Sequence, residues 1–290
     1  MGNQAIGLKV LAVGAAGPAP GLVIPELVKR GAVVTGFVHK PEDENSARSI
    51  GVTSVVVGEL SDASAVDHAL TGMDAAFYIS PATLENEAAV GKQFVSAAKA
   101  AGVRRVVFSS VIHPILSELE NHAAKAPVEE ALLDSELEYV FLHPAMFFQN
   151  FASSWSRVKQ TATYGEPWSN ETRFSRVDYR DVAEVAAIAL TEDRLLYGTF
   201  ELSAEGHLNR HHVAALMGQV LGRTIVPIKA ELPAQGGPPP KLTRMFAWYD
   251  RHALLGNSLT LRSILGREPR SLRAYFEELE AGESRSDLSK

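Results

Sequence analysis

The chain has no cysteine, which excludes disulfides, thiolate nucleophiles and zinc-thiolate centres and leaves the fold to its core. It also has no long apolar run. Its most hydrophobic stretches are broken by glycine or charge within about a dozen residues, short of the 18 or so needed to span a membrane. Lys/Arg runs and basic-aromatic stripes are missing too. With 34 acidic against 28 basic side chains the formal charge is −6, unsuited to capturing a phosphate backbone. The opening residues Met1-Gly2-Asn3-Gln4 have no basic start leading into a hydrophobic segment, so no secretory signal is expected and the Asn170-Glu171-Thr172 sequon reads as chance. The expectation is a cytoplasmic monomer or homodimer that meets a small-molecule substrate, with neither nucleic acid nor membrane as partner. What is present is ordinary: 290 residues, 46% hydrophobic and 21% charged, enough to bury roughly 75% of the unfolded surface.

Up to about residue 145 two periods alternate. Leu8 to Val13, Val33 to Val38, Thr53 to Val57, Ala75 to Ile79, Val103 to Ser109 and Glu138 to Leu142 are short β-branched runs without polar alternation, as in strands buried on both faces. Helical spacing lies between them, at Leu22 to Arg30, Glu44 to Ile50, Ala63 to Leu70, Asn86 to Ala100 and Lys125 to Ser135. This alternation predicts an α/β fold with a doubly wound parallel sheet and a ligand crevice at the carboxyl ends of its strands.

Past Asn150 the alternation loosens. Helices are predicted over Asp181 to Leu190, Arg210 to Leu221, Lys241 to Leu255 and Leu259 to Ile264, with a strand at Thr199 to Leu202. Residues 1–150 read as a dinucleotide-binding unit, and 151–290 as a smaller, α-rich part integrated with it and covering the substrate. The stretch from Pro233 to Pro240 is too rich in Pro and Gly for regular structure, and the tail near 282–290 reads as frayed.

After the first strand comes Gly14-Ala15-Ala16-Gly17-Pro18-Ala19-Pro20-Gly21, then a helix. A dinucleotide's diphosphate needs glycines where the backbone turns sharply and approaches closely, and free N–H groups at a helix start. The third glycine is displaced: Pro20 stands where the pattern wants it, with Gly21 one step late, and Pro25 follows inside the first turn. At the end of the second strand, where an acid would grip NAD's ribose and a base NADP's extra phosphate, stand His39 and Lys40, with Glu42 and Asp43 beyond Pro41. This favours NADP, NADPH over NADH, with a solvated surface lysine as the plain alternative for Lys40.

The chain resembles the NmrA-like branch of the atypical short-chain dehydrogenases/reductases. The resemblance rests on the ordered set Gly14-Ala15-Ala16-Gly17, Gly58 to Asp62, Ala101-Gly102-Val103 leading into Val107 to Ser110, Lys125 to Glu129, Leu142-His143-Pro144, Phe147 to Asn150, Val177 to Ala183 and Leu265 to Pro269. It implies a Rossmann fold holding NAD(P)H under a carboxyl-terminal cover. By position, Gly14, Ala15, Ala16, Gly17, Pro18 and Ala19 would surround the diphosphate, His39 and Lys40 the adenosine ribose, Glu59 and Leu60 the adenine, and Ser80 and Pro81 the nicotinamide side. Ser109, Lys125 and Pro144 would be further cofactor contacts. Ser110, Val111, Phe147, Gln149, Asn150 and Tyr249 would line the substrate. Relatives often carry Arg at the positions of His39 and His143, and Asp at that of Glu59.

Hydride transfer needs a proton source for the developing oxyanion. Ordinary short-chain reductases use a Tyr four residues before a Lys; here Asn121 precedes Lys125, and an amide is no general acid. Either Lys125 acts, alone or with His122 or His113, on a small carbonyl, quinone or conjugated alkene, or the chain is a catalytically silent NADP(H) redox sensor acting through a protein partner. A sugar-nucleotide epimerase is a third use of the fold. No metal site or covalent nucleophile is indicated; His211 and His212 are adjacent in sequence and face different ways on a helix.

Overall fold

A computed structural model describes residues 6–81, 84–232 and 236–282. Its strands are β1 (Lys9–Val13), β2 (Val33–Val38), β3 (Ser54–Val57), β4 (Ala75–Tyr78), β5 (Arg105–Ser109), β6 (Glu138–Pro144), β7 (Met146–Phe147), β8 (Thr163–Glu166), β9 (Arg176–Val177), β10 (Thr199–Leu202) and β11 (Val226–Lys229). The helices in the first half are α1 (Val23–Lys29), α2 (Glu44–Ser49), α3 (Ala63–Leu70), α4 (Glu87–Ala100), α5 (Glu120–Ala123) and α6 (Ala126–Leu133). Those in the second are α7 (Ala152–Thr161), α8 (Tyr179–Thr191), α9 (Arg210–Leu221), α10 (Pro240–Tyr249), α11 (Leu259–Leu265) and α12 (Leu272–Glu280).

Seven strands form one sheet in the order β10-β6-β5-β4-β1-β2-β3, and every pairing is parallel. The strands lack polar alternation because both faces are covered. Val10 and Ala12 join Val23, Ile24 and Leu27 of α1 and Val182, Val185 and Ala186 of α8 on one side. Leu11 and Val13 join Val66 of α3, Phe94 of α4 and Val128 and Leu132 of α6 on the other. The chain progresses outward from β1 in both directions, so the order reverses between β1 and β4 and leaves a crevice beyond their carboxyl ends.

The second half enters the same architecture. α8 lies on the sheet and β10 pairs with β6. The remainder builds its own core from Phe148, Phe151, Trp155, Val213, Met217, Tyr275 and Phe276, beside two small parallel pairings, β7 with β9 and β8 with β11. Two of its helices, α7 and α12, were not expected. The helix expected over Lys241 to Leu255 stops at Tyr249, because Leu254 is drawn into a bridge beside Phe174: its N–H donates to Arg173 O and its carbonyl accepts from Ser175 N. Pro240 belongs to α10 as its first residue, a position where a missing N–H costs nothing. Residues 233–235 of that loop, and 283–290 of the tail, lie outside the described residues. No helix among the described residues is long and apolar enough to cross a membrane.

Arg105 fastens the two halves. Its side chain is 1% exposed, and Nη1 donates to Ala189 O at 3.0 Å and Glu192 O at 2.8 Å, satisfying carbonyls at the end of α8 that have no helical partner. Its other nitrogens meet Glu138 at 2.8 Å and Asp193 at 2.5 Å. Replacing Arg105 by Met strands those carbonyls and should lower stability by about 3 kcal/mol, read as a shifted urea midpoint with unchanged slope; an unchanged midpoint refutes the clamp.

Candidate active site

Because all seven strands run the same way, the loops after β1, β2, β3, β4, β5 and β6 emerge along one edge, and the residues singled out for cofactor and substrate, apart from His122, Lys125 and Tyr249, follow those strand ends. After β1 the chain turns on Gly14, whose φ is +74°. The Gly14 amide donates to Phe37 O at 3.0 Å, the Gly17 amide to Gly14 O at 2.8 Å and the Gly21 amide to Gly17 O at 2.9 Å. Among the described residues the amides of Ala16 and Ala19 donate to no backbone or side-chain acceptor, so they are available to an anion.

Pro20 shapes this turn. A Cβ at Gly17 would stand 2.8 Å from the Pro20 ring, so the proline calls for glycine there, while at Gly14, 3.1 Å from the same ring, the positive φ calls for it first. Pro20 opens a 3₁₀ turn, Pro20–Leu22, and α1 starts only at Val23. Pro25 has no N–H to offer the carbonyl of Gly21, and it is tolerated where it stands because first-turn amides have no helical partner. Pro18 is exposed and can contribute only its ring. The turn fits a diphosphate, with two loop donors removed by proline.

At the ends of β2 and β3, His39 Nδ1 and Glu59 Oε1 lie 3.0 Å apart, both exposed. Lys40 is exposed beside them, and Leu60 is buried. This pairs an imidazole with a carboxylate where the adenosine end of a dinucleotide would lie.

After β4, Ser80 is buried and its hydroxyl donates to Tyr78 OH at 3.0 Å, while Pro81 is exposed. Burial pushes the Tyr78 phenol up to about 12, the Ser80 hydrogen bond opposing and the Glu87 charge adding to the rise. Lys125 precedes α6 with its side chain 9% exposed and its ammonium on Glu87 Oε1; it also donates to Asn121 O at 3.2 Å. A lysine at a helix start faces the unfavourable dipole end, and the anion that compensates it is this protein's own Glu87, 1% exposed in the first turn of α4. Asn121 leaves its Oδ1 buried and without a partner among the described residues.

After β5 and β6 the polar groups point two ways. Ser109 is buried against Tyr179, with the two hydroxyls 3.1 Å apart, on the α8 side. Ser110 donates to Glu129 Oε1 at 2.5 Å, and His143 Nε2 reaches the same oxygen at 2.8 Å. Glu129 and His143, absent from the candidate roles, therefore fix the Ser110 hydroxyl. Val111 and Phe147 pack against the core, and Phe147 lies edge-on to Tyr179. Pro144 is buried and accepts from Ile112 N. Gln149 is committed to structure, donating to Asp178 at 2.9 Å and accepting from Tyr179 N at 2.9 Å, while Asn150 is exposed. Tyr249 does not stand on an open wall: it is 5% exposed among Trp168, Phe174 and Trp248. Among the described residues there is no group of three His, Asp or Glu able to hold a metal.

The model of the NmrA-like family matches residues 8–276. The chain belongs to that family. It is 29% identical over 218 residues, 74% of this chain and 75% of the relative, to the (4-alkanoyl-5-oxo-2,5-dihydrofuran-3-yl)methyl phosphate reductase of Streptomyces griseus subsp. griseus. The structure of the NADPH-dependent quinone oxidoreductase of Escherichia coli complexed with NADPH superposes with a TM-score of 0.81 at 22% identity, covering 94% of this chain and 99% of that one. The negative transcriptional regulator NmrA in complex with NADP superposes with a TM-score of 0.78 at 16% identity, covering 98% of each. At these identities the two structures establish the fold.

Of the histidines proposed as helpers, His113 is half-buried in a left-handed conformation, with Nε2 2.7 Å from Leu255 O. His122 is 1% exposed, with Nδ1 3.3 Å from His113 O. Burial brings the His122 imidazole down to about 4, against the opposing bonds from the His113 and Ile112 carbonyls and with the nearby Lys125 charge adding to the fall. At neutral pH it is an uncharged packing group. The folded chain refuses a proton that the unfolded chain accepts below about 6.5, so this contribution is intact above that pH and fades as pH falls toward 4, by up to about 3 kcal/mol. In urea titrations at pH 7, 5.5 and 4, His122→Asn should flatten the acid loss by about one proton relative to the unchanged chain; parallel curves refute the assignment.

Proposed function

We propose that this protein is an NADP(H)-dependent oxidoreductase that passes hydride to a small carbonyl, quinone or conjugated alkene. The observation that carries the reading is the glycine turn at the end of β1, beside the reversal between β1 and β4, in a chain that also holds a nearly buried lysine ammonium on Glu87 at the start of α4. Nicotinamide, when bound, supplies the hydride. The chain's own work is binding and charge. Ala16 and Ala19 offer amides to the diphosphate, Lys40 offers positive charge to a 2′-phosphate, and His39 offers ring nitrogens beside it. Lys125, steadied by Glu87, offers N–H donors to a ribose hydroxyl or to the oxygen that gains charge as hydride arrives. Ser110, held by Glu129, presents a hydroxyl at the end of β5. The names of the reductase relatives, one acting on a phosphate ester and one a quinone oxidoreductase, support a reductive role and a conjugated or carbonyl acceptor.

A second reading is favoured by two observations. Asn121 provides no acid where one is wanted, and Pro20 lies against the glycines of the turn. A chain that binds NADP(H) without turnover and signals through a protein partner accommodates both.

Two measurements decide. In fluorescence titration NADPH should bind about tenfold more tightly than NADH, with the ratio collapsing in a His39→Ala, Lys40→Ala double variant; equal affinities in the unchanged chain remove the NADP assignment. Lys125→Met, checked for cooperative unfolding, should lower NADPH oxidation by a quinone and aldehyde panel about 100-fold while cofactor affinity stays within about threefold. An unchanged rate removes Lys125 from the chemistry, and no oxidation by the unchanged chain selects the sensor.

A further inference from the structure

Glu87 serves two lysines. Its Oε1 takes the ammonium of Lys125, and its Oε2 lies 3.3 Å from Nζ of Lys241, in the first turn of α10. One carboxylate, 1% exposed, thus faces two cations whose side chains are 9% and 22% exposed. Its charge is divided between them and the pair carries an excess of one positive charge. Lys241 and Glu87 also line a crevice of about 740 Å³ between the start of α4 and α10, bounded by Leu84, Ala124, Pro239 and Leu242. A separate and exposed tie, Arg244 to Glu120 at 2.5 Å, holds α10 to α5 without touching Glu87.

We infer that Lys241 is a positioning residue for Lys125: with α10 docked over the crevice it draws on Glu87, loosening that carboxylate's grip so that the Lys125 ammonium can turn to the reacting oxygen. The inference rests on the reading of Lys125 as the active-site ammonium. When α10 lifts, Glu87 is left to Lys125 alone and holds it back from the crevice. Docking of α10 and release of the charged donor are then one event, transmitted through two oxygens of a single side chain. Two cations sharing a buried carboxylate compete for it, and such groups in direct contact are where energetic coupling is expected.

The labelling test uses the full chain in four forms: unchanged, Lys241→Met, Lys241→Arg and Arg244→Gln. Competitive acetylation with acetic anhydride, quantified peptide by peptide by mass spectrometry and normalised to exposed Lys92, reads the freedom of the Lys125 amine without any substrate. Lys241→Met should slow labelling of Lys125 about threefold or more, with Lys241→Arg and Arg244→Gln within about twofold of the unchanged chain. Equal labelling in Lys241→Met and the unchanged chain, or an equal fall in Arg244→Gln, overturns the inference, the latter because any loosening of α10 would then suffice. In turnover, Lys241→Met should lower kcat about fivefold with the KM for NADPH unchanged and with recovery in Lys241→Arg. Placed in a Glu87→Gln background the same substitution should have no further effect, and an undiminished effect there overturns transmission through Glu87. Should the unchanged chain oxidise no NADPH, the catalytic reading of Lys125 falls while the labelling result still decides whether Lys241 governs its freedom.

Discussion

Parallel pairing is the constraint from which the rest follows. β1 pairs with both β2 and β4 in the same sense, and this forces each return of the chain through a crossover on one face or the other. Both faces are therefore covered, the strands are apolar throughout, and the loops that carry polar side chains collect beyond one edge. Were the pairing of β1 with β4 antiparallel, the glycine turn and the loop after β4 would emerge at opposite ends of the sheet. The site is a consequence of strand direction before it is a consequence of any particular side chain.

Within that edge the chain settles two competing demands on the first turn. An anion asks for open amides, and a well-ordered turn asks for internal hydrogen bonds. Here Gly17 and Gly21 use their amides inside the turn, Gly14 gives its amide to Phe37 of β2, and Pro18 and Pro20 have none. The turn is stiff before any ligand arrives, since proline removes backbone freedom that binding would otherwise have to remove. Fewer donors and a pre-set shape act on affinity in opposite directions. On the other side of the crevice, charge is handled by pairing within the protein: Lys125 with Glu87, Ser110 and His143 with Glu129, and Arg180 with Asp178 and Glu278.

Legibility from sequence followed the range of the interactions. The six strands of the first half stand out because burial on both faces writes itself into most of each short run, edge strand β3 least of all, and β6, read as ending at Leu142, extends only to Pro144. The glycine turn is legible because strand, turn and helix are contiguous. α12 carries Leu272, Tyr275, Phe276 and Leu279 at helical spacing and was open to the same reading, whereas α7 shows only Trp155 and Val158 and takes its form from the second core. Glu87 was beyond reach. It is one of 34 acids, and its role arises where segments 38 and 154 residues away in sequence converge on it. The hint was indirect: a lysine at a helix start needs an anion, though nothing local says which. Gln149 and Tyr249 show the converse, polar or aromatic groups near the right place whose bonding capacity or surface is consumed by packing.

The position of β10 bears on how the molecule is made. β6 occupies an inner place in the sheet only because β10 covers its outer side. During synthesis β6 is complete near residue 144, but its covering strand is not available until residue 202 has left the ribosome. For nearly sixty residues of elongation the nascent chain therefore carries an apolar strand with unpaired N–H and C=O groups along one side, the feature that recruits foreign strands and aggregates. Arg105, already in place on β5, waits through the same interval for the end of α8 that it will hold. The vulnerable period in this protein's life is thus the translation of its middle third, and chaperone dependence should be sought there.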